Sequence, residues 1–165
     1  MVIGVVTAIG FLALGLQTGP VAAAETLSCA NEELSKTVIK KHNKKFKKIE
    51  VLGIVGDGVT VERFSIWQDE PVGGKVTGKK KKENQTSPDA KIIGDGNFKV
   101  RAERRNNGDG RVYHISIRAT DAQNAICVAF LKVSVLKNKN ADPDVAGLPL
   151  FDSTCKRDCP KAPTG

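Results

Sequence analysis

Histidine is scarce in this chain, and so are tryptophan, tyrosine and methionine: two, one, one and one in 165 residues. Each shortage excludes a class of function. A hydrolase needs a nucleophile, a base and an oxyanion site. No G-x-S-x-G segment occurs, and any Ser-His-Asp triad would have to use His42 or His114. His42 sits among lysines, and His114 has an outward phase on a strand. A small hydrolase therefore ranks behind the non-catalytic readings. Aromatic side chains make up 5% of the chain. That is thin for a carbohydrate platform or a reader of single-stranded nucleic acid, since both rely on stacking. No nucleic-acid motif occurs, so no specific nucleic-acid partner is expected. Helical periodicity is missing too, because no stretch after residue 24 keeps its apolar residues on one helical face for long.

Charge is missing from one region only. Residues 1–24 carry no charged side chain, and Val2 to Leu16 is an almost unbroken apolar run followed by Gly19-Pro20. Ala22 and Ala24 fit the A-x-A rule, so 1–24 is expected to be a signal peptide, with a secreted product, periplasmic or extracellular. The apolar run is shorter than the roughly 20 residues that span a bilayer, so the mature chain should hold no stable membrane span. Leu27-Ser28-Cys29 hints at a lipoprotein box, but Thr26 stands where an aliphatic residue should, which argues against lipidation. The whole net charge of +8 then lies in the mature part.

Residues 25–45 read as a basic, loosely ordered segment with the first strand, and Lys36 to Lys48 holds seven lysines. A period of two begins at Phe46, where Ile49 and Val51 alternate with Lys48 and Glu50. In Val59 to Trp67 the inward set slips from Val59 and Val61 to Phe64 and Ile66, which predicts a β-bulge near Glu62-Arg63. Pro71 to Pro88 reads as a loop, and Lys91 to Ile93 as a short strand. Phe98 to Arg104 turns Phe98, Val100 and Ala102 inward, and Asn106-Asn107-Gly108-Asp109-Gly110 is a hairpin signal. Arg111 to Asp121 points Tyr113, Ile115, Ile117 and Ala119 inward. Ala125 to Leu136 puts Cys127, Ala129, Leu131, Val133 and Val135 on one face. About seven short strands at such spacing predict an all-β, antiparallel sandwich over residues 46–136. Residues 137–165 read as a loosely ordered, Cys-containing C-terminal extension.

Several short segments occur in a familiar order. They are His42-Asn43-Lys44, Ser65-Ile66-Trp67-Gln68-Asp69-Glu70-Pro71-Val72, Ser87-Pro88-Asp89-Ala90 and Val100-Arg101-Ala102-Glu103-Arg104. Gly110-Arg111-Val112-Tyr113 then leads to Ala119-Thr120-Asp121. On these segments, residues 42–135 resemble the immunoglobulin-like or HYR-like modules of secreted bacterial proteins. The resemblance departs at Val38-Ile39-Lys40-Lys41, where such modules often carry Trp-Pro-Pro, and in the added lysines at 79–82. It implies an immunoglobulin-like sandwich serving as a spacer or interaction domain, and it assigns no molecular activity. A local feature supports the sandwich independently and would make Tyr113 structural. Asp109 stands four residues before it, where immunoglobulin domains place a tyrosine corner whose hydroxyl bonds back to the backbone. A plain core tyrosine is the other reading.

Export permits disulfides, and four cysteines allow three pairings. In the resembled fold the first strand runs beside the last, which favours Cys29–Cys127, with Cys155–Cys159 closing a small loop. The other pairings, and a buried free thiol at Cys127, stay open. Zinc fits poorly, because the thiols lack metal spacing. No cofactor is required, but extracellular sandwiches often bind calcium at loop ends. Asp69, Glu70, Glu103 and Asp121 would form such a site if they converge at one pole. By default Asp69-Glu70, ahead of Pro71, are turn carboxylates.

The expected partners are a protein, or an anionic polymer at the cell surface. Lys79, Lys80, Lys81 and Lys82 in the long loop, with Lys44 and Lys45, could grip acidic polysaccharide, phosphate polymer or extracellular DNA in a salt-sensitive way. The plain alternative is a solvated loop that keeps the protein soluble.

Overall fold

A computed structural model describes residues 25–72, 86–94, 96–143 and 146–156. The expected signal peptide at 1–24, Lys79 to Lys82, Cys159 and the end of the C-terminal extension lie outside the described residues. Among those described there are nine strands and no helix. They are β1 (Glu33–Leu34), β2 (Val38–Ile39), β3 (Phe46–Leu52), β4 (Thr60–Gln68), β5 (Ala90–Gly94), β6 (Asn97–Arg101), β7 (Gly110–Thr120), β8 (Ile126–Leu136) and β9 (Phe151–Asp152). The first sheet has the order β1-β3-β6-β5, and the second β2-β8-β7-β4-β9. All pairings are antiparallel except that of β2 with β8.

Alternation builds the core. β7 and β8 pair along their full length, so Ala119, Ile117, Ile115 and Tyr113 stand opposite Cys127, Ala129, Leu131 and Val133. From the first sheet, Ile49 stands opposite Phe98, and Val100 opposite Ala90. Residues of both sheets form one buried cluster, with Phe98, Ile49, Ile117 and Val133 fully inaccessible to solvent. Two pleated sheets sharing one apolar layer make a sandwich. The expected bulge lies between Val61 and Arg63, where the β4–β7 register shifts. The extra residue is what moves the inward set from one parity to the other.

The N-terminal segment is shared between the sheets. Ser35 N donates to Glu50 O in the first sheet at 2.9 Å, and Ser134 N of the second donates to Thr37 O at 2.8 Å. The chain therefore crosses the edge of the sandwich between Ser35 and Thr37. Gly53 takes φ +75 where it passes Asn31, and a Cβ there would overlap the Asn31 carbonyl.

The C-terminal extension is not merely loose. β9 pairs with β4, setting Trp67 opposite Asp152 and Gln68 opposite Phe151. Beyond it Ser153 N donates to Ile66 O, while Ser153 O accepts from Asp89 N and Ala90 N at 2.8 and 2.7 Å. One backbone unit thus ties β4 of the second sheet to the start of β5 in the first.

Candidate functional site

β4 ends where β7 begins, because the two run antiparallel. That register brings Gln68, Asp69 and Glu70 beside Arg111, Val112 and Tyr113, and β5 supplies Asp89 just before its start. Arg111 Nε donates to Glu70 Oε2 at 2.9 Å, and Arg111 Nη1 to Asp89 Oδ2 at 2.8 Å and to the Tyr113 hydroxyl at 3.2 Å. Gln68 Nε2 donates to Asp89 Oδ2 at 3.0 Å, and the Arg105 amide donates to both Glu70 oxygens at 2.9 Å. The Tyr113 hydroxyl donates to Arg101 O at 2.8 Å, twelve residues upstream and on the other sheet. Gln68, Asp89, Arg111 and Tyr113 are fully buried.

Burial pushes the Glu70 and Asp89 carboxyls up, and Arg111 between them pulls back. Burial also opposes charge on Arg111, yet Tyr113, Asp89 and Glu70 hold its guanidinium above the ordinary value. The Tyr113 phenol is raised by burial against the pull of Arg111. Gly108 packs closely on Glu70, since a Cβ there would lie 2.7 Å from Glu70 Oε1. The cluster joins β4, β5, β6 and β7, and its charged members engage one another. It is a structural clamp, and the sequence reading missed its Arg111 and Asp89.

The four carboxylates expected to share calcium do not converge. Asp69 Oδ1 accepts from Val112 N at 3.0 Å, and Glu70 is bound by Arg111 and Arg105. Glu103 accepts from the Thr86 hydroxyl and lies 3.9 Å from Arg101 Nε. Asp121 sits at the other end of β7, where its Oδ1 accepts from Gln123 N and Ala125 N at 2.9 and 2.8 Å. The eleven residues of β7 put on the order of 35 Å between the two poles. The expectation neglected strand direction, which sends the two ends of β7 to opposite poles. Among the described residues, no three His, Cys, Asp or Glu side chains are grouped to hold a metal ion.

Of the lysines expected to grip a polymer, Lys44 and Lys45 lead into β3. Lys44 N donates to Ala102 O, and Ala102 N donates to Lys45 O, at 2.8 and 2.9 Å. Strand register adds lysines that the sequence reading did not connect. Lys48 of β3 stands opposite Lys99 of β6, and Lys99 opposite Lys91 of β5. Beside this row the Phe46 ring is met by Lys91 Nζ at 4.7 Å and by the Arg101 guanidinium at 4.2 Å from its centroid. Lys36, Lys40, Lys41 and Lys47 line a cleft of about 260 Å³ with Val38 and Ile39.

The outer face of the second sheet is different. Ser65, Ser116 and Phe130 form one cross-strand row, and Trp67, His114 and Lys132 the next. These six side chains, with Pro149, border a cleft of about 340 Å³. Phe130 is 78% exposed, and Ile126 and Val128 on the same outward phase of β8 are half exposed.

Cys29, ahead of β1, is bonded to Cys127 of β8 with a Cα–Cα distance of 5.8 Å. Cys155 is also oxidised, and its expected partner, Cys159, lies outside the described residues. No helix among the described residues is long and apolar enough to cross a membrane. Comparison with known proteins finds no family model, no curated protein and no solved structure that matches the chain.

Proposed function

We propose that the chain is an exported, non-catalytic interaction module with an immunoglobulin-like sandwich. The immunoglobulin-like reading is supported by the two sheet orders and by first strands shared between the sheets. Export is supported by the Cys29–Cys127 disulfide, which suits an oxidising compartment. The non-catalytic reading is supported by the clamp, which engages Glu70, Asp89 and Arg111 with one another.

The observation that carries the binding reading is the outer face of β8 and its neighbours. A 78% exposed phenylalanine beside Val128 and Ile126, flanking a cleft with Trp67 on its far side, is the kind of aromatic anchor that dominates protein interfaces. Its partner is a protein of the envelope or extracellular space. Capture of the purified chain on envelope proteins of its host is the test. Wild type should be retained even at high salt, because the contact is apolar. Phe130→Ser should weaken retention about tenfold, the loss of one modest anchor, without a change in Tm. Equal retention of the two proteins would remove this face from the reading and leave a spacer.

A further inference from the structure

We propose that the outer face of the first sheet binds a carboxylated or sulfated polysaccharide across the row Lys48–Lys99–Lys91. This rests on reading the chain as a binding module, but not on the Phe130 face. β3, β6 and β5 are successive neighbours, and their register aligns the three lysines. Neighbouring strands lie about 4.8 Å apart, so the lysine backbones span about 10 Å at right angles to the strands. Like charges directly opposite one another destabilise a sheet. Lysine is a common guard against pairing on an edge strand. That accounts for Lys91 on β5 and for Lys48, which lies beyond the stretch of β3 that the two-residue β1 covers, but not for Lys99 on the interior strand β6. A polyanion laid along the row converts the repulsion into attraction.

Among the described residues, exposed acids on this face are few and lie to one side. Glu50 meets Lys48 at 2.6 Å, with both side chains about half exposed, and an exposed pair of this kind holds its partner weakly. Glu33, opposite Leu52, lies farther along. Toward the other end, Phe46 stands opposite Arg101. Arg101 donates to the Lys44 and Pro88 carbonyls at 3.0 and 2.9 Å, so it positions the ring rather than the ligand. Lys47, between Phe46 and Lys48, turns away from this face into the lysine-lined cleft. The positive surface therefore continues around the edge of the sandwich.

The surroundings separate one polyanion from another. Cations occupy the approach to Phe46, whereas single-stranded nucleic acid needs open aromatic faces for its bases. The sheet face offers neither a helix nor a protruding ribbon to enter a duplex groove. An extended sugar chain with an anionic group on successive rings suits cations set one strand apart.

Heparin is the probe, and the purified full chain is the protein. Lys91→Gln/Lys99→Gln is compared with wild type and with Lys80→Gln/Lys81→Gln, which loses the same charge from the segment that the sequence pattern reads as a loop. Wild type should stay on immobilised heparin beyond physiological salt. The sheet variant should bind at least about tenfold more weakly, with the slope of log affinity against log salt reduced by about two. The loop variant should bind as wild type does. Melting of the sheet variant at or above the wild-type temperature shows that the loss is not unfolding. Three results overturn the proposal: no loss in the sheet variant, equal loss in both variants, or duplex DNA bound as tightly as heparin through the same lysines. Phe130→Ser should bind heparin normally. If heparin binding fails while Phe130-dependent capture persists, only the polysaccharide assignment falls.

Discussion

Tyr113 is the one tyrosine in the chain, so its ionisation can be followed without interference. It is fully buried, bonded to Arg101 O and approached by Arg111. Its phenol is raised above the ordinary value of 10.0, chiefly by burial. The folded state therefore holds the phenolic proton more tightly than the unfolded state does. Stability from this group is fully present below the unfolded value and is lost as pH rises through the folded one. Tyrosinate absorbance should consequently appear together with loss of near-ultraviolet dichroism, in one alkaline transition above pH 10.0. Smooth titration near the ordinary value in a protein that stays folded would contradict the buried clamp. Arg111 holds the two carboxylates together. A guanidinium buried between Glu70 and Asp89 is tolerable because both carboxylates sit within 2.9 Å and hydrogen bonds tie them to the frame.

At the scale of elements, the lysine row makes a separate claim on stability. Lys99 faces one lysine on either side, and each like-charge opposition costs about 0.2–1 kcal/mol. Lys99→Gln should therefore raise unfolding stability by about 0.5 kcal/mol in low-salt denaturant titrations. The gain should vanish near 1 M salt, where the Debye length falls to about 3 Å. A destabilised variant would mean that the lysine stem packs more than its charge repels. The long strands were legible in the sequence because they are long. β7 and β8 show several cycles of alternation, and the bulge in β4 is a visible slip of phase. β1, β2 and β9 have two residues each and display no period at all. The lysine row was illegible for another reason: residues 48, 91 and 99 become neighbours only through register. Nor could the sequence place Asp121 relative to Asp69, because local pattern carries no strand direction.

For the whole molecule, the Cys29–Cys127 bond closes a loop with a sequence separation of 98. A loop of that size is worth about 4–5 kcal/mol in the chain-entropy account. Cys29→Ser/Cys127→Ser should keep the sandwich but lose about 2–5 kcal/mol in urea unfolding. A loss below about 1 kcal/mol would show that pairing of β1 and β2 alone secures the N-terminal segment. The same bond also decides how the molecule answers tension. A pull on residues before Cys29 passes through the sulfurs directly into β8, so the chain from β1 to β7 lies outside the line of force. At the far end, the bonds of Ser87 to the Cys155 and Lys156 carbonyls and those of Ser153 are met first, and the two-residue β9 is peeled after them. Stretched between its ends, the sandwich can give up its C-terminal tether, but the disulfide prevents the enclosed strands from adding length.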